Sequence, residues 1–433
     1  MVKRAGLLLS CVFLVAACSS PVPPQPVEQP HATRSPDATP VEVQTAGRTS
    51  PGAVPVPVLR PVASPSAVAL PLSVLAGRSG ADVRVTLNLL LQEQVFLTAS
   101  AMDAASNGRL DELIGISAAL DQNSLAFAEV IGAVKGQPTA EALLGAWRGL
   151  VADLVLYAQG QQAAAGADLD QRRSVIAARL ALGNLSAGAV DELLRARVQA
   201  QLALADAIVG HDAAQAAQRL RSTAAASDEI ARPLSAAISA HLPAAAPPPT
   251  EGLAVDIRLA LTRLLQEHTF LNGAAVDAAA DGRGSDQQAY LKAADESASD
   301  LGAQLASVYS PELGDELTAR LRAESAAFVS VASGGDRPQA AANVVRLRGE
   351  LDGLLSSANQ LLPPGLVGQQ LRASDQPMLA AADAFTGRDF GTAFSRLREA
   401  ARQSQKPADS VALSVVDRYP VRYFVPPTPT PGL

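Results

Sequence analysis

The stretch LLQEQVFL at residues 90–97 reappears as LLQEHTFL at residues 264–271. Across residues 90–109 and 264–283, 12 of 20 positions are identical at a constant offset of 174. A later offset of 177 matches Arg219-Leu220-Arg221 to Arg396-Leu397-Arg398. The chain therefore contains an internal duplication, and the two copies are expected to share one fold.

Helical periodicity runs outward from the first of these stretches. Five apolar residues fall on one helical stripe: Val83, Leu87, Leu90, Leu97 and Ala101. A second stripe runs from Leu113 to Val134, and Asn107-Gly108 between the two stripes is a turn signal. This pattern predicts two antiparallel helices, and the chain as a whole is predicted to be all-α.

Glycine turn signals divide each copy at intervals of about 50 residues, near positions 108, 160 and 210 and again near 282, 334 and 387. Each interval suits one helical hairpin, so we expect two tandem antiparallel bundles of about three hairpins each. The first module is placed at residues 81–243 and the second at 252–407. A Pro-rich linker, 244–251, separates them because no helix can cross its three consecutive prolines. Gly145 and Gly149 are expected to allow close helix packing.

The N-terminal sequence has the features of a targeting signal. Lys3 and Arg4 precede an apolar stretch of about 13 residues, too short to span a bilayer, which is typical of a signal peptide. The sequence Val15-Ala16-Ala17-Cys18 resembles the cleavage box of bacterial lipoproteins. That resemblance implies a signal peptide at residues 1–17, lipidation of Cys18 and an extracytoplasmic location in the bacterial cell envelope, anchored to the membrane through lipid. An ordinary signal peptide with a chance cysteine is the alternative.

Segments on either side of the modules are rich in proline. Residues 18–80 hold 13 of the 30 prolines, and we interpret them as a disordered tether. Residues 408–433 form a Pro-rich apolar tail. From Ser410 onward this tail is predicted to be either an extended strap along a module or a partner-binding peptide.

Composition excludes several classes of function. The chain of 433 residues is 48% hydrophobic but only 3% aromatic, and it has two cysteines. Loss of the leader would leave 33 basic against 42 acidic residues, with no basic run to hold a nucleic acid. No nucleophile elbow, P-loop or zinc-protease motif is present, so we expect no catalytic residues, no metal and no cofactor.

The body of the chain resembles a group of bacterial helical-hairpin proteins whose opening helix reads roughly W-E-E-H-x-x-W. The matching residues are Gln92-Glu93-Gln94 in the first copy and Gln266-Glu267-His268 in the second, with Asn123 at an N-Q-type position. Later hairpins match through Leu143-Leu144 with Trp147 and through Leu193-Leu194 with Arg197. The resemblance covers about residues 83–405 and implies a helical bundle without implying an activity.

Candidate ligand-binding residues follow from the repeated motif: His268, Glu267, Gln94, Glu93 and Trp147. His268 continues an apolar stripe, so it is either a buried acid–base or ligand group or, more simply, a core histidine with a polar neighbour. Glu93 and Glu267, like Asp103 and Asp277, recur in both copies and are expected to pair with Arg109 and Arg283. Trp147 is expected either to fill the core or to line a cleft.

These observations predict a non-enzymatic binding or structural protein of the cell envelope, with the membrane and an envelope protein as its partners. The alternative is an extracytoplasmic protein that binds a small molecule or metal in the bundle interior near His268.

Overall fold

The computed structural model describes residues 79–242 and 250–423, and every regular element in these two ranges is a helix. The first copy contains α1 (Gly80–Ser106), α2 (Leu110–Lys135), α3 (Gln137–Ala158), α4 (Gln162–Leu180), α5 (Ala187–Val209), α6 (Ala213–Ala225) and α7 (Ser227–Ser239). The second contains α8 (Leu253–Ala280), α9 (Gly284–Ala306), α10 (Pro311–Ala332), α11 (Arg337–Ala358), α12 (Leu366–Thr386), α13 (Phe390–Gln403), α14 (Gln405–Arg418) and α15 (Pro420–Tyr423). The all-α prediction is confirmed.

Local sequence explains where the opening hairpins start and turn. Ser79 begins α1 with a capping box: its hydroxyl accepts from the Asp82 backbone N–H, and the Asp82 carboxylate accepts from the Ser79 backbone N–H. Gly108 and Gly282 follow α1 and α8 with φ of 68° and 69°, a region that glycine enters without steric cost. These are the turns that the glycine spacing predicts.

The third hairpin of each copy differs from the prediction. Its returning arm is divided into two shorter helices, α6 with α7 in the first copy and α13 with α14 in the second. In the second copy the break falls at Ser404, just before Pro407. The proline ring has no N–H and clashes with the carbonyl group four residues earlier, which favours a break at this point. Proline alone does not decide the break, since α7 and α12 run through Pro233 and Pro377.

The two copies share one hydrophobic core, although the sequence suggests two bundles joined by a proline linker. The largest cluster of buried side chains includes residues from helices of both copies. Within it Phe96 stacks on Phe270, with ring centroids 5.1 Å apart. A second, leucine-rich cluster is built from second-copy helices alone. Of the linker, only residues 250–251 are described.

Helices of each copy pack on helices of the other copy. α1 packs directly against α8, α13 of the second copy packs on α2 of the first, and α6 of the first packs on α9 of the second. Since α6 corresponds to α13 and α2 to α9, these contacts have the pattern of a two-fold arrangement. Each copy covers part of the other's opening hairpin.

The tail is helical where the structure describes it. Residues 410–418 belong to α14 and residues 420–423 to α15, with Tyr419 between them, and α14 runs across the module boundary placed at residue 407. Val411, Val415 and Tyr423 are buried in the second core cluster, and α14 packs along α8. The segment thus packs on its module, as the strap prediction has it, but as a helix rather than an extended chain, because its valines repeat at helical spacing.

Close helix approaches occur at glycines other than the predicted pair. A Cβ on Gly145 would meet nothing within 4 Å, and the nearest atoms to one on Gly149 would belong to the Arg172 side chain rather than to a helix backbone. By contrast, a Cβ on Gly302 would lie 2.6 Å from the Gly314 carbonyl oxygen, so α9 and α10 approach there backbone to backbone. The predicted signal peptide, Cys18, all but the last two residues of the tether, and residues 424–433 lie outside the described ranges.

Candidate functional site

The repeated glutamates bind arginines of the opposite copy. Glu93 on α1 forms a buried ion pair with Arg398 on α13, and Glu267 on α8 pairs with Arg221 on α6 at 2.7 Å. The prediction that these glutamates pair with Arg109 and Arg283 at the hairpin turns is therefore wrong. Asn123, the position singled out in α2, donates to the Glu93 carboxylate at 3.1 Å.

A second pair of ion pairs also joins the two copies, at the beginning of α1 and α8. Arg84 contacts Asp256 at 3.1 Å, and its counterpart Arg258 contacts Asp82 at 2.6 Å. Arg84 is almost fully buried and also binds Asp228 at 2.7 Å. The charges that recur in both copies therefore act mainly to hold the copies together.

Beside the stacked phenylalanines lies a cluster of charges at the turns of the opening hairpins. Arg109 binds Asp103 at 2.5 Å, and Arg283 binds Asp277 within its own copy and Asp103 of the other at 3.3 Å. For these two aspartates the predicted pairing is confirmed. Burial, reinforced by the Glu112 carboxyl group, raises the pKa of Asp277 to about 7 in spite of the two arginines.

This raised pKa predicts a pH-dependent difference between the protein and its Asp277→Asn variant. A carboxyl group whose pKa is higher in the folded than in the unfolded state stabilises the fold fully below about pH 4 and loses that contribution as the pH rises through about 7. We expect the variant to gain about 1–2 kcal/mol in free energy of unfolding, relative to the unmodified chain, between pH 5 and pH 8. Urea unfolding at the two pH values measures this gain. A constant difference would contradict the prediction.

His268 is buried in the second copy. Its Nδ1 lies 3.2 Å from the Ala294 carbonyl oxygen and its Nε2 lies 3.5 Å from Ser325 Oγ. Burial, together with the positive charge of Arg348, lowers the pKa of His268 to about 4, so the ring is neutral at physiological pH. These contacts are those of a core histidine with polar neighbours, while Glu267 on the same helix turns toward the other copy.

A cluster that the sequence interpretation missed lies beside His268. Arg348 on α11 binds the carboxylates of Glu324 on α10 and Asp375 on α12, and all three side chains are buried. Burial raises the pKa of Glu324 to about 8; Arg348 opposes this effect and the Asp375 carboxyl group adds to it. The only available signal was an asymmetry between copies, because the first copy has Leu150 at the position of Glu324.

The first copy has a different polar interior. Gln94, the counterpart of His268, accepts from Arg197 Nη2 at 2.6 Å and from Gln201 at 3.3 Å, and donates to Thr98 at 2.9 Å. The hydrogen bonds of Arg197 go to neutral groups, and burial lowers its pKa to about 9. The hydrogen bonds of the Gln94 side chain thus go to its own helix and to α5.

Trp147 fills the core of the first copy. Its ring packs on Phe127 with centroids 4.6 Å apart, and only 2% of the residue is exposed. Tyr157, the other aromatic on α3, donates its hydroxyl hydrogen to Asp206 at 2.9 Å. Of the two interpretations of Trp147, these contacts favour core packing over a cleft.

Metal and membrane signatures are absent from the part of the chain that the structure describes. Within residues 79–242 and 250–423, no group of three or more His, Cys, Asp or Glu side chains could hold a metal ion. Over the same ranges, no helix combines the length and apolar character that a membrane span requires. Comparison with protein-family models, curated proteins and solved structures finds no match to this chain.

Proposed function

We propose that this chain is a lipid-anchored protein of the bacterial cell envelope with a non-enzymatic binding or structural role. The observation that carries the proposal is the reciprocal set of ion pairs between the copies. The carboxylates that recur in both copies, the natural candidates for acid–base chemistry, are used to join two helical units into one body. Such a body offers extended helical faces to a partner protein.

The anchor is supported by the lipobox-like sequence that ends at Cys18. A diacylated cysteine binds a bilayer through burial of its acyl chains, at about 0.8 kcal/mol per methylene group. Residues 19–78, which connect Cys18 to the first described residue, are long enough to separate the helical body from the membrane by a distance on the order of 45 Å if they form a random coil.

Lipidation predicts that a palmitate analogue labels the protein in growing bacteria and that Cys18→Ala abolishes the label. Cys11→Ala is the matched control, because Cys11 lies inside the segment that cleavage removes, so this variant should label as strongly as the unmodified chain. Equal labelling of the Cys18→Ala variant would refute the anchor. Cross-linking the full chain in intact cells and identifying what co-purifies from gently solubilised envelope then tests the binding role.

A second candidate function, the binding of a small molecule, is favoured by one observation. The cluster of Arg348, Glu324 and Asp375 lines a small cavity together with His268. In this alternative the second copy binds a ligand and the first copy has a purely structural role. A thermal-shift screen against small metabolites separates the candidates, since a ligand that binds only the folded state raises the Tm.

A further inference from the structure

Two cavities meet inside the second copy. One, of about 40 Å³, is lined by leucines, valines, an alanine and a proline, with Arg348 as its only charged neighbour. The other, of about 20 Å³, is lined largely by polar side chains and lies beside His268. Leu265, Leu321, Arg348 and Leu371 line both cavities, so the two spaces are adjacent. Together they form an apolar chamber with a polar end.

The polar end contains hydrogen-bonding atoms without partners. Arg348 Nη1 and Asn272 Oδ1 are buried and make no hydrogen bond, although both residues are more than nine-tenths buried. Glu324 Oε2 likewise makes no hydrogen bond, and the Asp375 carboxyl group helps to raise the pKa of Glu324. A buried donor and a buried acceptor left unpaired are costly, so this end of the chamber favours an occupant that satisfies both.

We infer that the chamber binds a small uncharged amphiphile, namely a short alkyl chain that carries a hydroxyl or primary amide group. Such a head group accepts from Arg348 Nη1 and donates to Asn272 Oδ1 at the same time. A carboxylate has no hydrogen to donate and would face Glu324 and Asp375. An ammonium group accepts no hydrogen bond and would face the Arg348 guanidinium.

Size and polarity limit the tail of the ligand. The polar cavity has room for about one water molecule, whereas an apolar cavity of this kind stays dry and accepts apolar atoms instead. The larger cavity is much smaller than the roughly 150 Å³ that holds the ring of benzene, so the tail is limited to one or two carbon atoms. A hydroxyl group that takes the place of the water, followed by two carbons in the dry cavity, fits both halves of the chamber.

The first copy lacks the residues that form the polar end of the chamber. Thr98 stands at the position of Asn272 and Leu150 at that of Glu324, and Gln94 is already bonded to Arg197. Binding is therefore assigned to the second copy. The inference deepens the small-molecule alternative to the proposed function and does not depend on the lipid anchor or on an envelope partner.

The test uses the full chain with ethanol, followed by saturation-transfer NMR and thermal unfolding. We expect saturable binding in the millimolar range, a Tm raised by several degrees, and at least tenfold weaker binding of acetate and of ethylammonium. Asn272→Leu removes the polar partner with little change of size, and Ala408→Val extends two methyl groups toward the apolar cavity. Each should weaken ethanol binding at least tenfold.

Thr98→Val in the first copy is the matched control and should leave ethanol binding unchanged. Absence of saturable binding would mean that the chamber holds water only and would overturn the inference. So would undiminished binding in the Ala408→Val variant, or acetate binding as tight as that of ethanol. None of these outcomes affects the palmitate-labelling and cross-linking tests, so a failure here is distinguishable from a failure of the proposed envelope role.

Discussion

Replacing Arg398 by Met is expected to lower the free energy of unfolding by about 3–5 kcal/mol, because it leaves the Glu93 carboxylate buried without its cation. Both side chains of this pair are about 4% exposed, so water cannot compensate for the lost partner. The variant also loses the hydrogen bond from Arg398 Nη1 to Gln122 Oε1. Urea or guanidinium unfolding followed by circular dichroism measures the loss.

Two further variants test whether the uncompensated charge is the cause. Adding Glu93→Gln to Arg398→Met removes the charge and should restore most of the lost stability. Arg221→Met, the same change in the opposite copy, should be milder, since Glu267 keeps Arg263 at 3.5 Å and Arg221 is partly exposed. A loss below 1 kcal/mol for Arg398→Met, or an equal loss for Arg221→Met, would contradict this explanation.

Phe270→Ala is expected to cost about 3–5 kcal/mol, because it opens a cavity where the two copies meet. Phe270 is 97% buried and stacks on Phe96 with an angle of 8° between the rings. The effect should appear as a lower midpoint of a single unfolding transition, since the ring belongs to a core that both copies share.

The control for this variant is Leu361→Ala, at an exposed leucine, for which we expect a change within about 0.5 kcal/mol. A double-mutant cycle with Phe96→Ala should give a coupling of about 0.5–1.5 kcal/mol between the rings. Two separate unfolding transitions, with only one of them shifted by Phe270→Ala, would show that the copies unfold independently and would contradict the shared core.

The helical fold could be predicted from the sequence because it depends on local pattern. The stripe from Val83 to Ala101 and the glycine at position 108 specify α1 and its turn without any knowledge of the other copy. The division of the returning arm of the third hairpin into two helices was harder to predict from the sequence. Pro407 lies close to this break in the second copy, but the sequence prediction takes that position as the end of the second module.

The association of the copies could not be predicted from periodicity, since Arg398 meets a glutamate 305 residues away. A signal was nevertheless present. The Arg-Leu-Arg sequence and the glutamate of the opening helix both recur, and a repeated positive charge with a repeated negative charge is compatible with pairing within or between copies. Sequence alone does not choose between these possibilities, because the choice depends on how the third hairpins pack.

The interior cluster was missed for a different reason. Glu324, Arg348 and Asp375 lie on three separate helices with no shared motif, so only the tertiary structure brings them together. His268 was recognised because it is a polar residue that continues an apolar stripe. The unusual groups proved to be its neighbours rather than the histidine itself.

The position of α1 determines how a mechanical load would enter the protein. The chain passes at Ser79 directly into α1, which contacts α2, α3, α5, α6, α7 and α8. Tension applied from the N-terminal side would therefore have to slide a helix of 27 residues along most of its neighbours at once, instead of peeling a peripheral helix away. The contacts of α1 with these six helices would therefore oppose a pull on its N-terminal end together.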